Sequence, residues 1–383
     1  MAIAVGAMGS LGFAVTSPIL PDLADSFEVS RGSIGLVQAA VSVPGVLLSA
    51  LIGYLADRVG RRRVVLLALL IFSVFGVAGF FAQSFWALVI LRFCQGVGTS
   101  GILGVGIVLI GDAFEGEART RAMGFNLTGI TAISMTGPIV SGLLATGGIF
   151  RPFLIFLIGF PLMAWASRMP SDRPTHTVAP PTKHMAAAIG AMRDSGTLRD
   201  YLGLLTASLA AVFILHGLGL TVTPLFLEDE FGVPVAVRGF ILASFQAGII
   251  LVAIRIGSLL TRYGTRRALT LAFWLMALGT AVAGLAPEAW VVAAGLGLAG
   301  IGFGLFVPQV QSFAASAGGD RYRGVTVLMW VTVVRSAQVL GPPTSSLLSD
   351  RIGTRAVFLI AAAGVALIAI SWRPIRSALT MSQ

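Results

Sequence analysis

The chain has 383 residues, of which 56% are hydrophobic and 11% charged, and its mean hydropathy is +0.92. A soluble domain carries about 25% charged residues, so this composition excludes a water-exposed globular surface and implies a membrane protein. The 26 Lys and Arg against 16 Asp and Glu leave a net charge of +10, which can reflect nucleic acid or membrane topology, and only its placement along the chain decides between them.

Twelve apolar stretches follow one another, each about 20 residues long, the length of helix that crosses ~30 Å of hydrocarbon. They fall near 1–20, 33–54, 64–82, 86–110, 122–145, 152–168, 202–227, 237–260, 267–286, 289–314, 324–347 and 355–372. The first lacks a basic leader, so it reads as a span and not as a cleaved signal peptide. Between the second and third spans the segment GYLADRVGRRR, 53–63, gathers Asp57 with Arg58, Arg61, Arg62 and Arg63. The long polar interval 168–200, with four prolines and scattered charge, reads as a linker between two six-helix halves. The expected architecture is an all-α polytopic membrane protein with halves 1–168 and 201–383, the latter ending in a short tail, joined by a linker at 169–200.

Sorting the cations by this topology places eighteen on the side of the N-terminus, the linker and the tail. Five (Arg31, Arg151, Arg238, Arg351 and Arg355) fall on the other side, and Arg92, Arg255 and Arg335 fall within spans. This is the positive-inside asymmetry. It puts both termini in the cytoplasm, makes the basic excess topological and removes the case for nucleic acid. The single cysteine, Cys94, excludes an intramolecular disulfide, and His176, His184 and His216 are too far apart to suggest a metal site. The 47 glycines exceed the usual ~7%, as fits helices packed closely in lipid.

An offset of 204 residues lays GYLADRVGRRRVVLL (53–67) over GSLLTRYGTRRALTL (257–271), with seven identities in fifteen. The same offset pairs Gly96 and Gly98 with Gly300 and Gly302, Gly137-Pro138 with Gly341-Pro342, and Arg151 with Arg355. Two parallel six-helix repeats are an arrangement of transporters that rock about a central site.

With these residues in place the chain resembles the major facilitator superfamily. The pattern G-x-L-A-D-R-x-G-R-R resembles that family's signature loop, RFCQGVG (92–98) its second motif, and GITAISMTGPIVSG (129–142) the fifth-span motif of its drug and metabolite exporters. Ser141 and Ile133 stand where glycines are usual in the fifth-span motif. The resemblance implies that Asp57 meets the start of the eleventh helix near Gly324 in one conformation and leaves it in another. The loop reads as a conformational switch, with Gly53 and Gly60 supplying turns and close approach beside Asp57, Arg58 and Arg61, or else as a topology anchor. Gly137, Pro138, Gly341 and Pro342 read as a seal between the halves or as ordinary kinks.

Polar groups at membrane depth are expensive and mark candidate transport chemistry. Arg335 lies near the midplane of the eleventh span. Arg92 and Gln95 open the fourth, and Asn126, Gln246, Gln309 and Gln338 fall within other spans. Each of the amides can line a cavity or join two helices. Trp330 reads as a cavity residue or as core packing, and Arg255 as a snorkelling residue. No acid falls at mid-membrane, so Asp22 and His216 are the candidates for proton coupling.

The resulting expectation is a secondary active transporter and not an enzyme. It moves a small organic molecule by alternating access, as proton-coupled efflux with the proton gradient in place of any cofactor. The alternatives are uptake or exchange of an organic anion, which midplane arginine without midplane acid motivates, and a sensor of the same fold that does not transport. The expected setting is a prokaryotic inner membrane, with lipid and substrate as partners and a monomeric chain.

Overall fold

The computed structural model describes residues 2–168 and 182–371. Residues 169–181 of the expected linker, with His176, and the tail beyond 371 lie outside that range. Among the described residues every regular element is helical. Ten helices, from Ile3–Ser26 to Thr354–Ser371, are long and apolar enough to cross a membrane. The second expected span is a pair of helices, Gly35–Leu47 and Leu51–Val59, bent by 58°, and the sixth is a shorter apolar helix, Arg151–Ala166. Each of the twelve expected positions therefore holds apolar helix. The first span runs past its expected end at 20 to Ser26, carrying Asp22 and Asp25 within its helix. Charge at the margin of a span marks the end of the hydrocarbon, not the end of the hydrogen-bonded turns.

The first and seventh spans change helix type along their length. The first passes from Leu11–Thr16 through a 3₁₀ turn, Ser17–Ile19, into Leu20–Ser26. Pro18 and Pro21 sit at the starts of the last two pieces, because proline has no N–H to continue the ladder. The seventh runs as Leu198–Phe213, a π-helical stretch Ile214–Val222, and Thr223–Asp229 with Pro224 in its first turn. By contrast Pro138, Pro308, Pro342 and Pro343 lie inside helices that run on through them.

The chain forms two compact units. One takes residues 1–178, 220–243 and 342–351, the other 179–219, 244–341 and 352–383. In the first unit Ser346 Oγ donates to the Gly32 carbonyl at 2.8 Å, and the carbonyl of Pro342 lies against Gly35. Gly137 leaves room for Ala14, whose Cβ would lie 2.7 Å from a Cβ built there, and a side chain on Gly239 would fall on the Pro138 carbonyl.

The repeat is visible inside each unit as two matching seams. A Cβ on Gly96 would fall on the carbonyl of Val41, and one on Gly300 on that of Phe245, which is Val41 shifted by 204. Gly98 fits against the backbone of Ala68 and Phe72, and Gly302 against that of Ala272 and Met276, again the shifted pair. Small residues permit this backbone-to-backbone approach, which dispersion then rewards in lipid.

The loop glycines divide. Gly60 has φ +101° and its repeat mate Gly264 φ +73°, conformations that a side chain rarely adopts. Gly53 does not serve the turn: it lies inside the helix Ser49–Val59, and a Cβ there would meet nothing within 4 Å. Chain reversal therefore falls to Gly60 alone.

Gly98→Ala and Gly302→Ala should each destabilise the folded chain by about 1–3 kcal/mol through overpacking. Gly104→Ala and Gly364→Ala, at positions with open space, should be neutral or stabilise by up to about 1 kcal/mol. Melting curves of the four purified variants in one detergent check this.

Candidate functional site

In the first unit the polar side chains converge on the broken first span. Gln38 Nε2 donates to the Phe13 carbonyl at 3.3 Å. Ser141 Oγ donates to the Val15 carbonyl, and Arg92 Nη2 to the Gly12 carbonyl and to Thr16 Oγ1 at 3.2 Å. Arg92 Nη1 donates to Gln95 Oε1 at 2.5 Å. With Arg92 at 1% and Gln95 at 0% exposure, these expected cavity residues present no surface to a ligand and staple the fourth span to the first. Asn126 is buried too, its amide oxygen against Gly6.

A charge network lies at the end of the same span. Arg238, its side chain 3% exposed, places Nη1 2.9 Å from Asp22 Oδ2 and 2.8 Å from Glu228 Oε2. Arg31 lies 3.0 Å from both Asp25 and Asp229 and donates to the Pro21 carbonyl at 2.6 Å. Burial works against the Arg31 charge, but the carboxylates of Asp229 and Asp25 outweigh it and its pKa is raised. The proton-coupling candidate Asp22 is thus the partner of an arginine 216 positions away. Sequence reasoning assigned Arg31 and Arg238 to topology alone. Their exception to the positive-inside rule was the available signal, because a cation on that side needs another reason to be there.

The switch loop is local in character: Asp57 pairs with Arg61 at 3.7 Å, and Arg58 donates to Tyr54 Oη at 3.0 Å.

In the second unit three predicted residues come together. Arg335 Nη1 donates to Gln338 Oε1 at 3.3 Å, Gln338 Nε2 meets His216 Nε2 at 3.3 Å, and His216 Nδ1 meets the Val212 carbonyl at 3.3 Å. His216 is buried, whereas Arg335 and Gln338 are half-buried. Among the described residues no carboxylate lies within ion-pair distance of Arg335. Gly341 packs beside this group, against the backbone of Phe213 and Gly217. The other candidates are apart from it: Trp330 Nε1 donates to Ser208 Oγ at 3.1 Å, Gln309 to the Leu305 carbonyl of its own helix at 2.6 Å, and Gln246 is half-buried on the eighth span. Among the described residues no group of three or more His, Cys, Asp or Glu is disposed to hold a metal.

The sequence profile of the Major Facilitator Superfamily matches residues 2–235 and 204–381. The chain is similar to the tetracycline resistance protein, class B, of Escherichia coli, with 24% identity over 363 residues that take in 89% of this chain and 86% of that protein. It is 30% identical to the bacillibactin exporter of Bacillus subtilis over 151 residues, and that alignment spans 38% of either chain. Among solved structures the nucleoside transporter NupG superposes with a TM-score of 0.73 at 15% identity, covering 96% of this chain and 97% of that one, a likeness of fold alone.

Removing the cation from the buried network strands two carboxylates, so Arg238→Gln should cost about 3 kcal/mol. Arg31→Gln, from a side chain 25% exposed, should cost under about 1 kcal/mol. Adding Glu228→Gln to Arg238→Gln should restore part of the loss, and thermal melting of the single and double variants measures the coupling.

Proposed function

The chain belongs to the Major Facilitator Superfamily, and from that premise we propose that it moves a small organic molecule across a bacterial inner membrane by alternating access, with protons as the coupling ion and both termini cytoplasmic. Export in exchange for protons is supported by the relatives' names, a bacillibactin exporter and a tetracycline resistance protein. The observation that bears on the substrate itself is Arg335. A cation within a span costs at least ~2.5–3.5 kcal/mol on insertion scales, and here, among the described residues, its side-chain hydrogen bond goes to the neutral amide of Gln338. Such a group is available to a carboxylate or another negatively polarised part of a substrate. That availability favours a second reading, in which an organic acid and a proton travel together.

Inside-out vesicles separate the two. Export in exchange for protons requires accumulation when the lumen is acid, and cotransport requires accumulation when the bath is acid. Transport indifferent to either gradient overturns proton coupling altogether.

Arg335→Lys should keep part of the affinity for acidic compounds, because it keeps the charge and loses the planar fork. Arg335→Gln should lose about 10- to 100-fold. Titration of the purified variants with a panel of acids and their amides reads this, and equal affinities in both variants would make Arg335 structural.

A further inference from the structure

The hydrogen-bond polarity of the Arg335 group is forced from one end to the other. A guanidinium only donates, so Gln338 must present Oε1 to Arg335 and its NH₂ to His216. An amide NH₂ also only donates, so His216 Nε2 must accept, and the imidazole proton sits on Nδ1, facing the Val212 carbonyl. The arrangement is therefore complete only for a neutral His216.

A second proton on His216 turns Nε2 into a donor facing a donor. The amide of Gln338 satisfies it by turning over, which brings its NH₂ to face the guanidinium and ends the hydrogen bond to Arg335. Among the described residues Arg335, on the eleventh span, is the charged group that bears on His216, and the Val212 carbonyl of the seventh span faces its Nδ1. Two cations are then close together with no carboxylate within ion-pair distance of Arg335, and an acidic ligand neutralises them.

We propose that His216, Gln338 and Arg335 form one coupling unit, in which a proton on His216 releases Arg335 from Gln338 so that the proton and an acidic ligand bind together. Gln338 is the positioning residue: its oxygen faces Arg335 and its NH₂ faces His216, so turning the oxygen to accept from His216 takes it away from Arg335. The unit lies on the seventh and eleventh spans, and the π-helical stretch Ile214–Val222 carries His216, a local irregularity frequent at functional sites. The proposal rests on the reading that Arg335 contacts the acidic part of the substrate.

The test uses the full chain in detergent at constant ionic strength. The probe is benzenesulfonate, which stays ionised throughout, with benzenesulfonamide as its uncharged counterpart. Thermal shift is recorded at pH 5.5 and pH 8. Wild type should bind the sulfonate about tenfold or more tightly at the lower pH, the scale of a hydrogen bond to a charged group. His216→Gln should bind weakly at both values, and Gln338→Leu tightly at both, because Arg335 is then always released. A loss of folding predicts none of that gain, so the Gln338 variant keeps the test decisive. Equal binding by wild type at the two pH values, or a pH dependence that survives in His216→Gln, overturns the coupling unit and leaves Arg335 as an anion site. Absence of sulfonate binding, or binding retained in Arg335→Gln, overturns the substrate reading beneath it.

Discussion

Inside hydrocarbon every backbone N–H and C=O must find a partner within the protein, and the polar residues of this chain are arranged around that constraint. A regular helix satisfies it unaided. The first span breaks at Pro18 and Pro21, and three neighbouring spans place side-chain donors on carbonyls just ahead of that break: Gln38 on Phe13, Arg92 on Gly12 and Ser141 on Val15. The serine that replaces the expected motif glycine at 141 is one of these donors. Polar groups at membrane depth thus fall into those the backbone consumes and those left over. Arg92 is consumed, and Arg335 is left over.

That division breaks the symmetry of the repeat. The glycine seams at 96 and 98 and at 300 and 302 match backbone for backbone, so the scaffold is duplicated. The arginines within its spans are not. Arg92 has Leu296 as its repeat mate, and Arg335 has Thr131, whose hydroxyl turns back to the Leu127 carbonyl of its own helix. The first half spends its arginine on a broken span, whereas in the second half the seventh span bends through a π-helical stretch that a histidine serves. Two copies of one fold thus place their span arginines differently: Arg92 on backbone of the first span, Arg335 on the side chain of Gln338.

The spans, the repeat and the glycine seams were legible in the sequence because each is a local or periodic signal: apolar length, a fixed offset, a small residue at helical spacing. The partners were not. Asp22 and Arg238 stand 216 positions apart, and His216 and Gln338 122 apart, so no window of sequence contains either pair. Gly53 was misread because a glycine beside a turn looks like a glycine in the turn, and only the backbone angle at Gly60 tells them apart. The partner of Arg92 was out of reach for a related reason: burial cost marks it as important, but composition cannot show that the Gly12 carbonyl compensates the cost.

The coupling proposed for Gln338 has a sign, and the sign follows from the ligand's charge. An acidic ligand gains when His216 is protonated, since two cations then face it, and by reciprocity its binding raises the proton affinity of the site. Proton and ligand then move in the same direction. An uncharged acceptor gains little from the added cation, so for it the proton carries little coupling. A relay of three side chains thus connects the charge of the substrate to the direction in which the proton gradient drives it.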